Sequence, residues 1–232
     1  MLCPYGSRAV FQLSPDRSLV RCAAADWAEP TWQRLLLDRV LWTTSYLRGF
    51  QLLHASAVTT AAGLVAFLAV AGGGKTSLAA ECVRRGHGFF SDDILAVEEI
   101  DGEIWGHAGP PLMNLPASMA SEDLDEVRVI AELGDQRWVE VEQESSEPEP
   151  LVAIVLVDRA AAVSSHCTKV KATTLTLLPY MVGFPHMGSG SRRRFEVAGS
   201  LAEATPVFRL RADPSLCVSE LANFVEAEIG IL

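Results

Sequence analysis

The segment AVAGGGKT, residues 69–76, places Gly72, Gly73 and Gly74 directly before Lys75 and Thr76. Glycines let consecutive backbone N–H groups turn inward onto phosphate oxygens. A following lysine reaches the β- and γ-phosphates, and a Ser or Thr hydroxyl binds Mg²⁺. A helix starting at the lysine adds the positive end of its dipole. The pattern G-x-x-x-x-G-K-[ST] is met except at its first position, where Ala69 replaces glycine. A Cβ is tolerated there if φ is negative. Gly72, Gly73, Gly74, Lys75, Thr76 and Ser77 are therefore the expected nucleotide-binding residues, with Thr76 as a metal ligand.

Two further features belong with this loop. Asp92 and Asp93 follow the apolar stretch GFFS. Paired carboxylates near a triphosphate can hold Mg²⁺ or take a proton from an attacking hydroxyl. His54 lies on the apolar run preceding the loop, and pairing Val58 with Leu64 in a hairpin places it opposite Leu68, at the loop's edge. A competing carboxylate is Asp158, which ends LVAIVLVD in the apolar-strand-then-Asp pattern of a Walker B. The sequence shows no path from it to the loop, so it ranks below the Asp92–Asp93 pair.

The elements that must position these groups follow from periodicity and punctuation. Residues 31–48 carry Trp32, Leu36 and Val40 with Leu37 and Leu41 at helical spacing, and Gly49 stops the helix. LLHASAV and LVAFLAV, separated by TTAAG, predict a β-hairpin. A helix is expected from Lys75 to Arg85, ended by Gly86. Residues 88–100 read as strand, acidic interruption, strand, residues 103–107, 151–158 and 204–211 as further strands, and SLCVSELANFVEAEI as a terminal helix. A right-handed crossover from strand 64–70 through helix 75–85 makes strand 88–91 parallel to the first, so its C-terminal end and both aspartates fall on the loop's edge. The acid-rich stretch 120–149 reads as a solvated surface loop without chemistry.

The chain has 232 residues, 49% hydrophobic and 21% charged, which fits one soluble globular α/β domain over residues 1–232. A formal net charge of −10 argues against a nucleic-acid partner. The 5 cysteines are widely spaced with no CxxC pair, as expected of reduced thiols. No apolar segment has the length of a membrane span or the form of a signal peptide, so a cytoplasmic protein with no membrane partner is expected.

The stretch from Leu52 to Glu98 resembles the catalytic domain of the HPr kinase/phosphorylase family. The order is the same: a His on a strand, a P-loop, a helix ending in RRGH, then paired Asp, and His54, Lys75 and Asp93 keep the family's spacing. GHAGPPLMNLP and ATPVFRLR resemble shorter HPr-kinase-related proteins that accompany lasso-peptide biosynthesis. The resemblance implies a P-loop, HPr-kinase-like catalytic domain with a mixed, partly antiparallel sheet. It implies ATP and Mg²⁺, with transfer of phosphate to a serine hydroxyl of a peptide or small protein, and assembly into homo-oligomers. Lys75 would hold the β/γ-phosphates and Thr76 the metal; Asp93 would be the general base, Asp92 would assist either that base or the metal, and His54 would orient or polarise the base. The family's second metal carboxylate has no clear counterpart; Asn114 or Glu103 stands nearest. An arginine from Arg192, Arg193 and Arg194, with Arg194 taken as the catalytic candidate, would neutralise transition-state charge. Three readings stay open: a kinase of a lasso-peptide precursor, a kinase/phosphorylase of HPr or another carrier protein, and a non-catalytic nucleotide-binding regulatory module.

Overall fold

Every second side chain of Ala9–Leu13 is buried, the period of a strand with one wet face. In the computed structural model, which describes residues 2–5, 8–28, 31–117, 119, 128–159, 164–183 and 190–230, the chain divides into two compact units, Met1–Leu52 and Leu53–Leu232. In the first unit, β1 (Leu2–Tyr5), β2 (Ala9–Leu13) and β3 (Val20–Ala24) form an antiparallel sheet. The expected helix over 31–48 is present as α1 (Thr31–Leu35), a π-helical segment (Leu36–Leu41) and α2 (Trp42–Leu47), and it stops at Gly49, whose φ is +105°. Ala9, Phe11 and Leu13 form a small core with Val40, against which Trp32, Leu35, Leu36 and Leu47 pack. The short strand β4 (Gln51–Leu53) spans the change from one unit to the other.

The second unit is built on a mixed sheet. Its centre is β6 (Gly63–Leu68), β13 (Glu149–Asp158) and β15 (Val207–Arg211), all parallel. On one side β5 (Ala55–Thr60) pairs antiparallel with β6, and β7 (Gly88–Ser91) antiparallel with β5. On the other, β14 (His166–Val170) pairs antiparallel with β15. The hairpin of β8 (Leu95–Ile100) and β9 (Glu103–His107) joins the beginning of β13. Along β6, Leu64, Ala66 and Leu68 enter one core while Val65 and Phe67 enter the other, and all five are fully buried. A strand covered on both faces has no polar side to show, which is why LVAFL and VAIVLV read as unbroken apolar runs.

The first face is covered by α3 (Lys75–Arg84), through Leu78, Ala79 and Cys82, and by α6 (Val218–Ile229), through Leu221, Ala222 and Val225. A second antiparallel sheet of β10 (Leu112–Pro116), β12 (Gln136–Glu140) and β11 (Arg128–Leu133) adds Met113, Leu115 and Val139 to the same core. The opposite face is covered by α4 (Thr174–Leu177) and α5 (Gly190–Ala204), which contribute Leu177, Val197, Ala198 and Leu201.

Three local expectations change. Residues 128–133 and 136–140 are strands rather than part of a solvated loop, because Val139 joins the apolar core and Trp138 is buried despite the acid-rich composition; residues 120–127 lie outside the described ones. The hairpin turns tightly over Ala61 and Ala62, so Val58 pairs with Val65, one residue beyond the expected register. Ala55 therefore faces Leu68, and His54 stands just before the strand. Finally, β7 is parallel to β6 as the crossover requires, but β5 lies between them.

One ion-pair network ties α3 to α6. Glu81, 7% exposed, accepts hydrogen bonds from Arg84 and Arg85, and Arg85 also donates to Glu226 and to Ser219. The hydrogen bond from Arg84 leads in holding the Glu81 carboxyl down to about 2; burial opposes it and Arg85 assists. The stability this supplies is present above the ordinary glutamate pKa and is lost as pH falls toward 2. Glu81→Ala is expected to cost about 2–3 kcal/mol in urea unfolding at neutral pH, with a smaller difference from wild type in acid.

Candidate active site

The glycine loop owes its shape to the strand and helix that hold it. β6 ends at Leu68, Ala69 is fully buried, and Gly73 donates its N–H to the Val70 carbonyl at 2.9 Å. Gly72 and Gly74 have φ of +74° and +93°, a region that L side chains avoid. A Cβ at Gly73 would lie 2.7 Å from the Ala69 Cβ. Ala69 thus fits at the motif's first position because its neighbour across the turn is a glycine. Gly74 caps α3, and Leu78 N–H bonds the Gly74 carbonyl at 2.9 Å. The first-turn N–H groups of that helix have no partner within it, so they are free to face an anion.

The β5–β7 pairing brings the two aspartates to this loop. Ala57 lies opposite Ser91, so Asp92 emerges beside Ser56. Asp92 Oδ1 accepts hydrogen bonds from the hydroxyls of Ser56 and Thr76, the latter at 2.8 Å, and Asp92 Oδ2 accepts the Asn114 N–H at 2.9 Å. Burial, and next the like charge of Asp93, push the Asp92 carboxyl above its ordinary value, while Lys75 and the hydrogen bonds oppose them. Asp93 turns the other way. Ile94 N–H bonds the Asp92 carbonyl at 2.7 Å, and this tight turn gives Asp93 a φ of +61°. Its Oδ1 accepts from Lys75 Nζ at 3.1 Å, with the lysine side chain 10% and the aspartate 32% exposed. The pair therefore divides: Asp92 engages the threonine, Asp93 the lysine.

His54 joins them although its expected strand register does not hold. Its backbone N–H donates to the Tyr180 carbonyl at 2.7 Å, and its side chain lines the same cleft. Burial first and the Lys75 ammonium second lower its pKa from the ordinary histidine value, against the pull of Asp93. The imidazole is thus neutral at pH 7 and able to accept a hydrogen bond.

His54, Lys75, Thr76 and Asp93 line one cleft of about 300 Å³ with Gly72, Gly73, Gly74, Ser77, Asn114, Pro116, Asp135 and Gln136, and Asp92 is hydrogen-bonded to two of these residues, Thr76 and Asn114. Asn114 donates through Nδ2 to Gln136 Oε1 at 3.0 Å, while its Oδ1 is buried without a hydrogen-bond partner among the described residues. The threonine hydroxyl, the Asp92 carboxylate and this orphaned amide oxygen are hard oxygen donors of the kind Mg²⁺ takes. The glycine loop supplies backbone N–H groups for phosphate, and its tight turn depends on the missing Cβ at Gly73, which would meet Ala69 and the Val70 carbonyl. The residues present fit a magnesium-bound nucleotide.

Other expected residues lie elsewhere. Glu103 opens β9 opposite Ile100, exposed and away from the cleft lining. Arg192, Arg193 and Arg194 lie near the start of α5; Arg192 pairs with Glu196, and Arg194 packs against Gly183 with its Nε buried and without a partner among the described residues. None of the three lines the cleft. Asp158 does reach the loop's edge, contrary to the sequence expectation, because β13 is the direct parallel neighbour of β6 with Leu156 beside Leu68. It lines a different cleft on the outer side of the loop, and its carboxylate lies 3.8 Å from Arg211 Nε. Sequence reasoning missed Ser56 and Gln136. For Ser56 the clue was present: it is a polar residue between Ala55 and Ala57 in a strand buried on both faces.

No family model matches the chain, and no curated protein matches it in sequence. Among solved structures it is similar to the Hpr(Ser) kinase/phosphatase from Coxiella burnetii, at 10% identity and a TM-score of 0.42, over 78% of this chain and 88% of that one.

Proposed function

We propose that the protein is an ATP- and Mg²⁺-dependent kinase that transfers the γ-phosphate to a serine hydroxyl of a peptide, with a lasso-peptide precursor as the acceptor class suggested by the sequence resemblance. One juxtaposition carries the reading: a lysine and a threonine at the start of a helix, behind a glycine loop, each engaged by one member of an aspartate pair. Lys75 and the loop would bind the β- and γ-phosphates. Thr76 and Asp92 would hold Mg²⁺, which supplies charge neutralisation on the transferred group. Asp93 would leave Lys75 when phosphate arrives and accept the proton of the serine hydroxyl, with neutral His54 orienting it. The same geometry serves a carrier-protein kinase, and choice of acceptor separates the two.

The test is incubation of the protein with Mg²⁺, γ-labelled ATP and seryl peptides. Label is expected on serine in the peptide; bound nucleotide with no label transferred to any acceptor would favour a regulatory nucleotide-binding module. A second expectation concerns the metal. Thr76→Val keeps the side chain's shape and removes its hydroxyl, so the Mg²⁺ concentration for half-maximal transfer should rise roughly ten-fold to a hundred-fold. An unchanged Mg²⁺ titration would remove Thr76 from the metal site.

A further inference from the structure

We propose that the cleft on the outer side of the glycine loop docks the acceptor peptide and that Arg209 there pairs with an acidic side chain flanking the acceptor serine. The inference rests on the kinase reading for the word acceptor, but the docking itself can be measured without phosphoryl transfer.

The cleft has a volume of about 460 Å³ and is lined by Val70, Gly72, Gly73, Asp158, Tyr180 and the arginines 159 and 209, among others. Two of its walls belong to the site already described. Gly72 and Gly73 line both clefts, so the loop is the partition between them. Tyr180 holds the backbone of His54 through its carbonyl. A chain lying in the outer cleft therefore runs past the loop toward the histidine and Asp93, where an acceptor hydroxyl has to arrive.

Its charges are unequally committed. Arg159 donates through one guanidinium nitrogen to the carbonyls of Pro214 and Leu216, and its stem packs behind Gly74. Asp158 faces Arg211. Arg209, held beside Leu156 by the parallel pairing of β13 and β15, is half-buried and has no ion-pair or hydrogen-bond partner for its side chain among the described residues. A half-buried arginine left without a counter-charge can take a carboxylate, because its planar guanidinium fork matches that geometry. The Asp158 carboxylate in the same cleft opposes a dianionic phosphate more strongly than a single carboxylate. Val70, 72% exposed at the rim, offers an apolar contact for a neighbouring side chain. This cationic spot lies on a chain of net charge −10, so the attraction is local to the cleft.

The test uses two rhodamine-labelled peptides, one with serine flanked by glutamates and one with glutamines in their place, and reads binding by fluorescence anisotropy. Wild type should bind the acidic peptide about ten-fold more tightly, a preference that shrinks with added salt. Arg209→Glu should abolish or reverse the preference, and Arg209→Lys, which keeps the charge and loses the planar fork, should keep only part of it. Mg–nucleotide affinity measured on the same samples reports that each variant is folded; if Arg209→Glu does not fold, Arg209→Gln removes the same charge and should likewise abolish the preference. Equal binding of the two peptides by wild type, a preference that survives loss of the Arg209 charge, or displacement of the acidic peptide by an equal concentration of inorganic phosphate would each overturn the proposal. An intact preference without any phosphate transfer would leave the docking site standing and sink the kinase reading instead.

Discussion

Asp93→Asn is expected to leave Mg–nucleotide affinity within several-fold of wild type and to lower phosphoryl transfer by roughly two to four orders of magnitude. A general base touches the acceptor hydroxyl as it attacks, so its loss acts on the transition state far more than on the bound ground state. Asparagine keeps the shape of the side chain and its turn, since it tolerates the positive φ that Asp93 adopts. It removes the proton acceptor and weakens the contact with Lys75, which frees the lysine for phosphate. Nucleotide binding and transfer rate, measured on one preparation, separate the two effects. A variant that loses both equally would make Asp93 a binding residue.

Lys75→Ala is expected to lower turnover by at least about two orders of magnitude and to weaken nucleotide binding as well. Lys75 is the one lysine or arginine lining the glycine-loop cleft among the described residues. Its side chain is nearly buried, so little solvent screens its charge from a bound phosphate. The substitution also leaves Asp93 without its partner beside Asp92, and two unbalanced carboxylates disfavour an incoming anion further. Near-normal transfer by this variant would refute the role of the loop.

Local features of the site were legible in the sequence because they depend on local chemistry. The glycines, Lys75 and Thr76 declare a strand–loop–helix turn, and the crossover rule carries Asp92 and Asp93 to the same edge even though β5 separates the two parallel strands. What was illegible depended on which strands become neighbours. LVAIVLVD gives no sign that β13 lies against β6, so Asp158 looked remote when it borders the loop. The hairpin register could not be read from apolar composition alone, since both faces of β5 are buried and a one-residue shift leaves no polar side chain to object. Ser56 is the exception that carried register information, as its hydroxyl has to meet Asp92. The strands at 128–140 were hidden by their charge: exposed Glu132, Asp135 and Glu140 stand among the buried Ala131, Trp138 and Val139, and the buried side chains, rather than composition, decide the element. The helix α5 was missed because Arg192, Arg193 and Phe195 stand exposed early in it and its buried apolar residues begin at Val197.

The most direct test of the central claim, that the aspartate pair beside Lys75 and Thr76 is the catalytic centre, is the single-turnover transfer rate of Asp93→Asn set against Asp158→Asn at saturating Mg–ATP. Both carboxylates stand at the ends of apolar strands on the loop's edge, but only Asp93 shares a cleft with the lysine and threonine. The account predicts that Asp158→Asn stays within a few-fold of wild type while Asp93→Asn falls by roughly two orders of magnitude or more. A collapse of Asp158→Asn with Asp93→Asn unimpaired would make the end of β13 the true metal and base site, and the assignment of the paired aspartates would be wrong.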